Sequence, residues 1–284
     1  MPDAEHQPAE AADRLAGVAS EPGVAKPDPI LVADSVRRRF EGVAAVDVDH
    51  LEVQRGVVTA LIGPNGAGKT TLFNLLTGFD QPSSGRWNFD GHQIETSSAN
   101  AHRLAQLGMV RTFQLTKSLG LMSVLDNLKL GAPNQSGESL LGAFRTRRWR
   151  AEDEQIEHRA DELLARFKLS HVRDDYARTL SGGQRKLLEM ARALMVQPSL
   201  VMLDEPMAGV NPALTESLLH HITGLRDEGM TVVFVEHDMD VVMGISDWVV
   251  CMAQGSLIAE GPPRDVAADE RVIEAYLGSP GEVT

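Results

Sequence analysis

Residues 63–71 read Gly-Pro-Asn-Gly-Ala-Gly-Lys-Thr-Thr and fit the pattern G-x-x-x-x-G-K-[ST] at Gly63, Gly68, Lys69 and Thr70. No other stretch restricts the chain as strongly. Glycines let a backbone turn tightly around an anion, so that several N–H groups point at the same oxygens. A helix beginning near Lys69 adds the positive end of its dipole. Lys69 then carries a full charge to the outer phosphates, and the Thr70 hydroxyl becomes a magnesium ligand. The flanks agree with this. Val57 to Ile62 is a short apolar run suited to a buried parallel strand, and Lys69 to Leu76 reads as a helix. A Gly-rich turn that binds nothing explains the loop but not its strand–loop–helix setting. The loop therefore says nucleotide, without saying which machine.

Bulk properties narrow the class. The 284 residues suffice for one large domain or two small ones, and 43% hydrophobic with 24% charged residues is the balance of a soluble globular protein. A net charge of −13 argues against a nucleic-acid binder, which would carry a basic face. Cys251 is the only cysteine, which rules out an internal disulfide or a cysteine zinc cluster. Its apolar neighbours Val249, Val250 and Met252 predict a core position. No apolar run approaches the ~18 residues that cross a bilayer, and the N-terminus lacks the basic start and apolar core of a secretory signal. The expectation is a cytoplasmic chain whose membrane connection runs through a partner.

Residues 1–28 are rich in Ala, Pro and acidic side chains and read as a disordered tail, with folded structure over 29–279 and a short tail at 280–284. Asp47 to Val53 alternates polar and apolar residues like a half-exposed antiparallel strand, and Gly85 to Phe89 leads into an Asp90-Gly91 turn. A β-rich layer beside the nucleotide core follows. From about 115 to 180 the chain becomes helical, with a short helix over Ser123–Leu130 and a longer one over Ala151–Lys168 carrying Ile156, Leu163, Leu164 and Phe167 on its apolar face. Then come a strand at Leu200–Leu203, a helix over Pro212–Asp227 and a strand at Thr231–Val235, an order that predicts a parallel crossover. Beyond Asp247 the pattern gives two short strands and a helix ending near Leu277.

Two further features carry chemistry. Val201-Met202-Leu203-Asp204-Glu205 is an apolar strand ending in two acids, where Asp204 can hold magnesium and Glu205 can deprotonate an attacking water. Leu180-Ser181-Gly182-Gly183-Gln184 opens a helix with a hydroxyl and exposed backbone donors, a second anion site. Read alone, that start is an ordinary N-cap; two phosphate sites far apart in one chain change the odds, and they need not serve the same nucleotide copy.

Together with Gln114 in Arg-Thr-Phe-Gln and His237 in Val-Glu-His-Asp, these motifs resemble the ATP-binding subunits of ABC transporters, over about residues 30–277. The resemblance implies an α/β fold: a P-loop NTPase core with an antiparallel β subdomain and a helical subdomain at about 115–180. It implies ATP and Mg2+ as cofactors, with Thr70, Gln114 and Asp204 around the metal, Glu205 as general base and His237 at the γ-phosphate. The ATP-binding set is then Phe40 (stacking on adenine), Gly63, Pro64, Asn65, Gly66, Ala67, Gly68, Lys69, Thr70, Thr71 and Gln114. Ser181, Gly182, Gly183 and Gln184 would reach the nucleotide of a second ATP-binding subunit, identical or related, packed head to tail.

Where many members of that family have Ser-Ala-Leu-Asp after Glu-Pro, this chain has Ala208-Gly209-Val210-Asn211, with an uncharged Asn in place of Asp. This form, with Thr71–Phe79 and Val272–Gly278, looks like the branch serving branched-chain amino acid import. Membrane permease subunits, and indirectly a periplasmic binding protein, are the implied partners, at the cytoplasmic face of the inner membrane. Related alternatives are a urea or short-amide importer and a lipopolysaccharide-exporting system. A soluble ABC ATPase of DNA repair or translation would need a second half, a long coiled coil or zinc ligands, and a P-loop kinase or GTPase has no place for Leu-Ser-Gly-Gly-Gln. Arg145, Arg147, Arg148 and Arg150 around Trp149 read either as a docking patch for the permease or lipid headgroups or as a solvated linker. Arg37, Arg38 and Arg39 read as charge guarding the edge of the first strand.

Overall fold

The computed structural model describes residues 13–96, 99–112, 119–133 and 146–277, without the side chains of 146–151 and 213. Gln114 and Arg145 lie outside the described residues, as do 1–12 and 278–284, and the side chains of Arg147, Arg148, Trp149 and Arg150 are likewise not described. In chain order the elements are β1 (Pro29–Phe40), β2 (Val43–Gln54), β3 (Val58–Ile62), α1 (Lys69–Leu76), β4 (Ser84–Phe89), β5 (His92–Ile94), α2 (Ala101–Gln106) and β6 (Met109–Arg111). Next come α3 (Val124–Lys129), α4 (Thr146–Arg166), α5 (Gly182–Ala193), β7 (Leu200–Asp204), α6 (Pro212–Asp227) and β8 (Thr231–Val235). After them follow α7 (Met239–Ile245), β9 (Trp248–Ala253), β10 (Ser256–Gly261), α8 (Pro263–Ala268) and α9 (Glu270–Leu277).

The central sheet has the order β10-β9-β3-β8-β7-β6 and is parallel except for the β9–β10 pair. Every residue of β3, β7 and β8 is buried, which is why these strands are unbroken apolar runs. Alternate residues serve two cores. Val58, Ala60, Ile62, Val201, Leu203, Val232 and Phe234 face the helical layer, which includes Leu163, Leu164 and Phe167 of α4 and Leu187, Leu188 and Leu194 of α5 and its last turn. Leu61, Leu200, Met202, Val233 and Val235 face α1 and the antiparallel sheet β2-β1-β4-β5. The expected helical insertion is present: Ser123 caps α3 and the apolar face of α4 is buried, while Lys168 at φ 57° stops that helix. Among the described residues no helix is long and apolar enough to cross a membrane.

Three local expectations differ from the structure. Residues 13–28, expected to be a disordered tail, pack on the domain. Leu15 is buried in the β-side core, and the Lys26 ammonium lies 2.5 Å from Glu260 and over the Trp248 ring. A buried ion pair with its partner 234 positions away leaves no periodic signal in the short segment itself. The single C-terminal helix is two, α8 and α9, divided at Asp269, whose carboxylate accepts the Arg271 N–H. Finally, β1 is an inner strand, so Arg37 and Arg38 do not guard an edge; they pair with Asp47, Asp49 and Asp80.

Candidate functional site

Three parallel neighbours end at one rim of the sheet. Leu61, Val235 and Asp204 share a register row across β3, β8 and β7, so strand spacing alone sets Asp204 about 10 Å from Leu61. The loops leaving these ends carry Gly63–Gly68, Glu236–His237 and Glu205–Asn211. Side chains from three distant parts of the sequence therefore face a common crevice, the place where open α/β sheets bind ligands.

The phosphate loop has its shape because two glycines have no alternative. A Cβ on Gly63 would lie 2.1 Å from the Met252 carbonyl oxygen, and one on Gly68 would lie 2.3 Å from that of Ala45. Gly68 at φ 99° precedes α1 and no side chain caps that helix, leaving its first N–H groups to a ligand. The Lys69 ammonium reaches the carbonyls of Gly63 (2.6 Å) and Pro64 (3.0 Å). Burial lowers its pKa, while the nearby carboxylates of Glu205 and Asp204 oppose the shift. Lys69 and the two acids thus share one electrostatic neighbourhood. Cys251 is fully buried, as expected, with its thiol pushed up to about 12 by burial.

Asp204 is buried at the end of β7, with one carboxylate oxygen on the Arg111 guanidinium at 2.6 Å. The exposed Thr70 hydroxyl and the Asp204 carboxylate are hard oxygen donors, the chemistry a magnesium ion takes. Among the described residues no cluster of three His, Cys, Asp or Glu could hold a metal ion. Glu205 takes the left-handed conformation at φ 46°, and its N–H donates to the Val235 carbonyl. A non-glycine residue held there marks a loop whose surroundings over-determine it. His237 is exposed, and its Nδ1 lies 3.7 Å from Glu236.

Two other predicted contributors stand on separate elements. Phe40 ends β1 at a two-residue hairpin (Glu41 φ 46°, Gly42 φ 93°) and is 47% exposed, with Arg38 over its ring. Ala45, on the second strand of that hairpin, has its carbonyl against Gly68. Ser181 caps α5: its Oγ accepts the Gln184 N–H, and the Gln184 side chain accepts the Ser181 N–H. Gln184 is therefore turned inward as a cap, while Ser181 and Gly182 face solvent and Gly183 packs against Leu214. Asn211, the departure from the usual Asp, caps α6 by accepting the Leu214 N–H at 2.9 Å, a task that needs no charge.

Four residues of the site escaped the sequence reading. Arg111 binds Asp204; Glu236 accepts the Met207 and His237 N–H groups; Lys186 holds the loop after Glu205; and the Tyr276 hydroxyl accepts the Gly63 N–H at 2.9 Å. A signal existed for Glu236, an acid directly after the four apolar residues Val232–Val235, since a charge in that place must sit at the strand's open end. Tyr276 carried none, because its partner is 213 positions away.

A family profile described as ABC transporter matches residues 46–208, and one described as branched-chain amino acid ATP-binding cassette transporter matches residues 256–282. The chain is 40% identical over 250 residues to a probable branched-chain amino acid transport ATP-binding protein, LivG, of Archaeoglobus fulgidus, covering 88% of this chain and 96% of that protein. It is 40% identical over 252 residues to the high-affinity branched-chain amino acid transport ATP-binding protein BraF of Pseudomonas aeruginosa, covering 88% and 98%. A solved nucleotide-free ATP-binding cassette from an ABC transporter superposes with a TM-score of 0.76 at 38% identity, over 89% of this chain and 100% of that one. A family match over more than half the chain, joined to a rim that gathers Lys69, Asp204 and Glu205, leads to one conclusion: this chain belongs to the ATP-binding subunits of ABC transporters.

Proposed function

We propose that this subunit hydrolyses ATP to power import of branched-chain amino acids through partner permeases, with the named rim residues doing the chemistry. The observation that carries the reading is the shared rim of β3, β8 and β7, which puts Lys69 within the fields of Asp204 and Glu205. Lys69 and the N–H groups of Gly63–Thr71 bind the triphosphate, and Phe40 stacks on the base. Thr70, Asp204 and Gln114 hold magnesium, which when bound screens the phosphate charge. Glu205 takes a proton from the attacking water, and His237 orients that water against the γ-phosphate. Ser181 and Gly183 face the nucleotide of a second ATP-binding subunit, so that ATP closes the pair and hydrolysis reopens it. A groove lined by Val110, Thr112, Leu130, Gly131 and Arg192 lies between the sheet and the helical layer and suits a short helix of a permease. The substrate class rests on the names of the relatives.

Glu205→Gln tests the chemistry. Hydrolysis is expected to fall by at least about 100-fold while ATP binding persists, and size-exclusion chromatography with ATP and magnesium should show a dimer. Wild-type hydrolysis by that variant would refute the base assignment. Uptake of labelled leucine into vesicles holding the complete transporter, lost with Lys69→Ala, tests the substrate class; transport of urea instead would overturn it.

A further inference from the structure

The loop after Glu205 is gripped from two sides by charged side chains that no part of the expected site uses. From α5, the Lys186 ammonium donates to the carbonyls of Pro206 (2.8 Å) and Ala208 (2.6 Å). From the end of β8, Glu236 accepts the Met207 N–H at 3.0 Å through one oxygen and the His237 N–H at 3.3 Å through the other. Three consecutive residues are thus held through their backbones, alternately by a cation from α5 and a carboxylate from the end of β8. Immediately before them, Glu205 sits in the left-handed region with its N–H on Val235. Such a conformation persists only where neighbours over-determine it, and backbone contacts at 206, 207 and 208 are the neighbours that do so.

We propose that Lys186 and Glu236 form a two-sided clamp that positions Glu205, an inference resting on the assignment of Glu205 as the general base. The clamp touches neither the reacting water nor the phosphates; it acts through the loop backbone. Electrostatics favours the arrangement. Burial lowers the Lys186 pKa against the opposing charges of Glu236, Glu189 and Glu205, and burial raises that of Glu236. The half-buried Lys186 has the buried carboxylate of Glu236 nearby, and the loop's peptide groups complete their hydrogen bonding. The same helix begins at Ser181, five residues or about 7.5 Å along the axis from Lys186.

The test is Lys186→Met, which keeps an apolar stem and removes the donors, with Lys186→Arg as the conservative rescue. Because the phosphate loop is untouched, KM for ATP and the affinity for a fluorescent ATP analogue should stay within about twofold, while kcat falls about 10- to 100-fold. Lys186→Arg should recover most of kcat. Unchanged kcat in Lys186→Met, or equal loss of kcat and ATP affinity, overturns the clamp, as does failure of Lys186→Arg to recover kcat. If the methionine variant does not fold by circular dichroism, Lys186→Gln is read against the same two outcomes. Glu205→Gln run alongside separates the failures. An active Glu205→Gln refutes the base assignment, whereas an inactive one beside a fully active Lys186→Met refutes the clamp alone.

Discussion

The Arg111 guanidinium lies 2.6 Å from a carboxylate oxygen of Asp204, with 6% of one side chain and 4% of the other exposed. The same guanidinium donates to the Asn74 side chain at 2.5 Å, so a residue of β6 joins the helix behind the phosphate loop to the acid at the end of β7. One oxygen of Asp204 is thereby held.

Arg111→Gln should therefore be costly. It leaves a buried carboxylate without its cation, a change worth about 3–5 kcal/mol of stability. Urea unfolding of the two proteins measures it. A loss below about 1 kcal/mol would mean that Asp204 finds another partner or reaches water.

The contact between Tyr276 and Gly63 gives a second prediction. Gly63 is buried, and its N–H donates to a hydroxyl from α9. Tyr276→Phe removes only that oxygen. An orphaned buried N–H costs about 1–3 kcal/mol, and it sits in the first residue of the phosphate loop. The expected result is a lower melting temperature together with weaker ATP binding by titration calorimetry. A variant with both values unchanged would show that α9 does not brace the loop.

His221 makes stability sensitive to acid. Burial, reinforced by the positive charges of Arg166, His220 and Lys168, lowers its pKa from 6.5 to about 4. As pH falls through 6.5 the unfolded chain takes up the proton while the folded chain refuses it until about 4, so stability drops across that window. The gap corresponds to at most about 3 kcal/mol. His221→Leu should lose this contribution, so its stability relative to the wild type should rise between pH 7 and pH 4.5 in matched urea titrations. A constant difference between the two proteins across that range would contradict the shift.

What could be read in advance follows the range of the interactions. Gly63–Thr71 is legible because its residues are contiguous and each type has a fixed task, and β3, β7 and β8 because burial on both faces forces unbroken apolar runs. The face of α4 carrying Leu163, Leu164 and Phe167 was legible from helical spacing alone. Residues 13–28 were misread because composition averages over a segment, whereas Leu15 and Lys26 each find one specific burial site elsewhere.

The amino-acid order thus determined, without help, the phosphate loop, the acids at the end of β7 and the helix start at Ser181, since each is written within about ten consecutive residues. Tertiary structure alone decided that Arg111 would hold Asp204, that Tyr276 would brace Gly63, and that Lys186 and Glu236 would meet on one loop from two elements. The reason is physical: a charge or hydroxyl has many chemically equivalent partners along a chain, and only the packing of sheet against helices selects one.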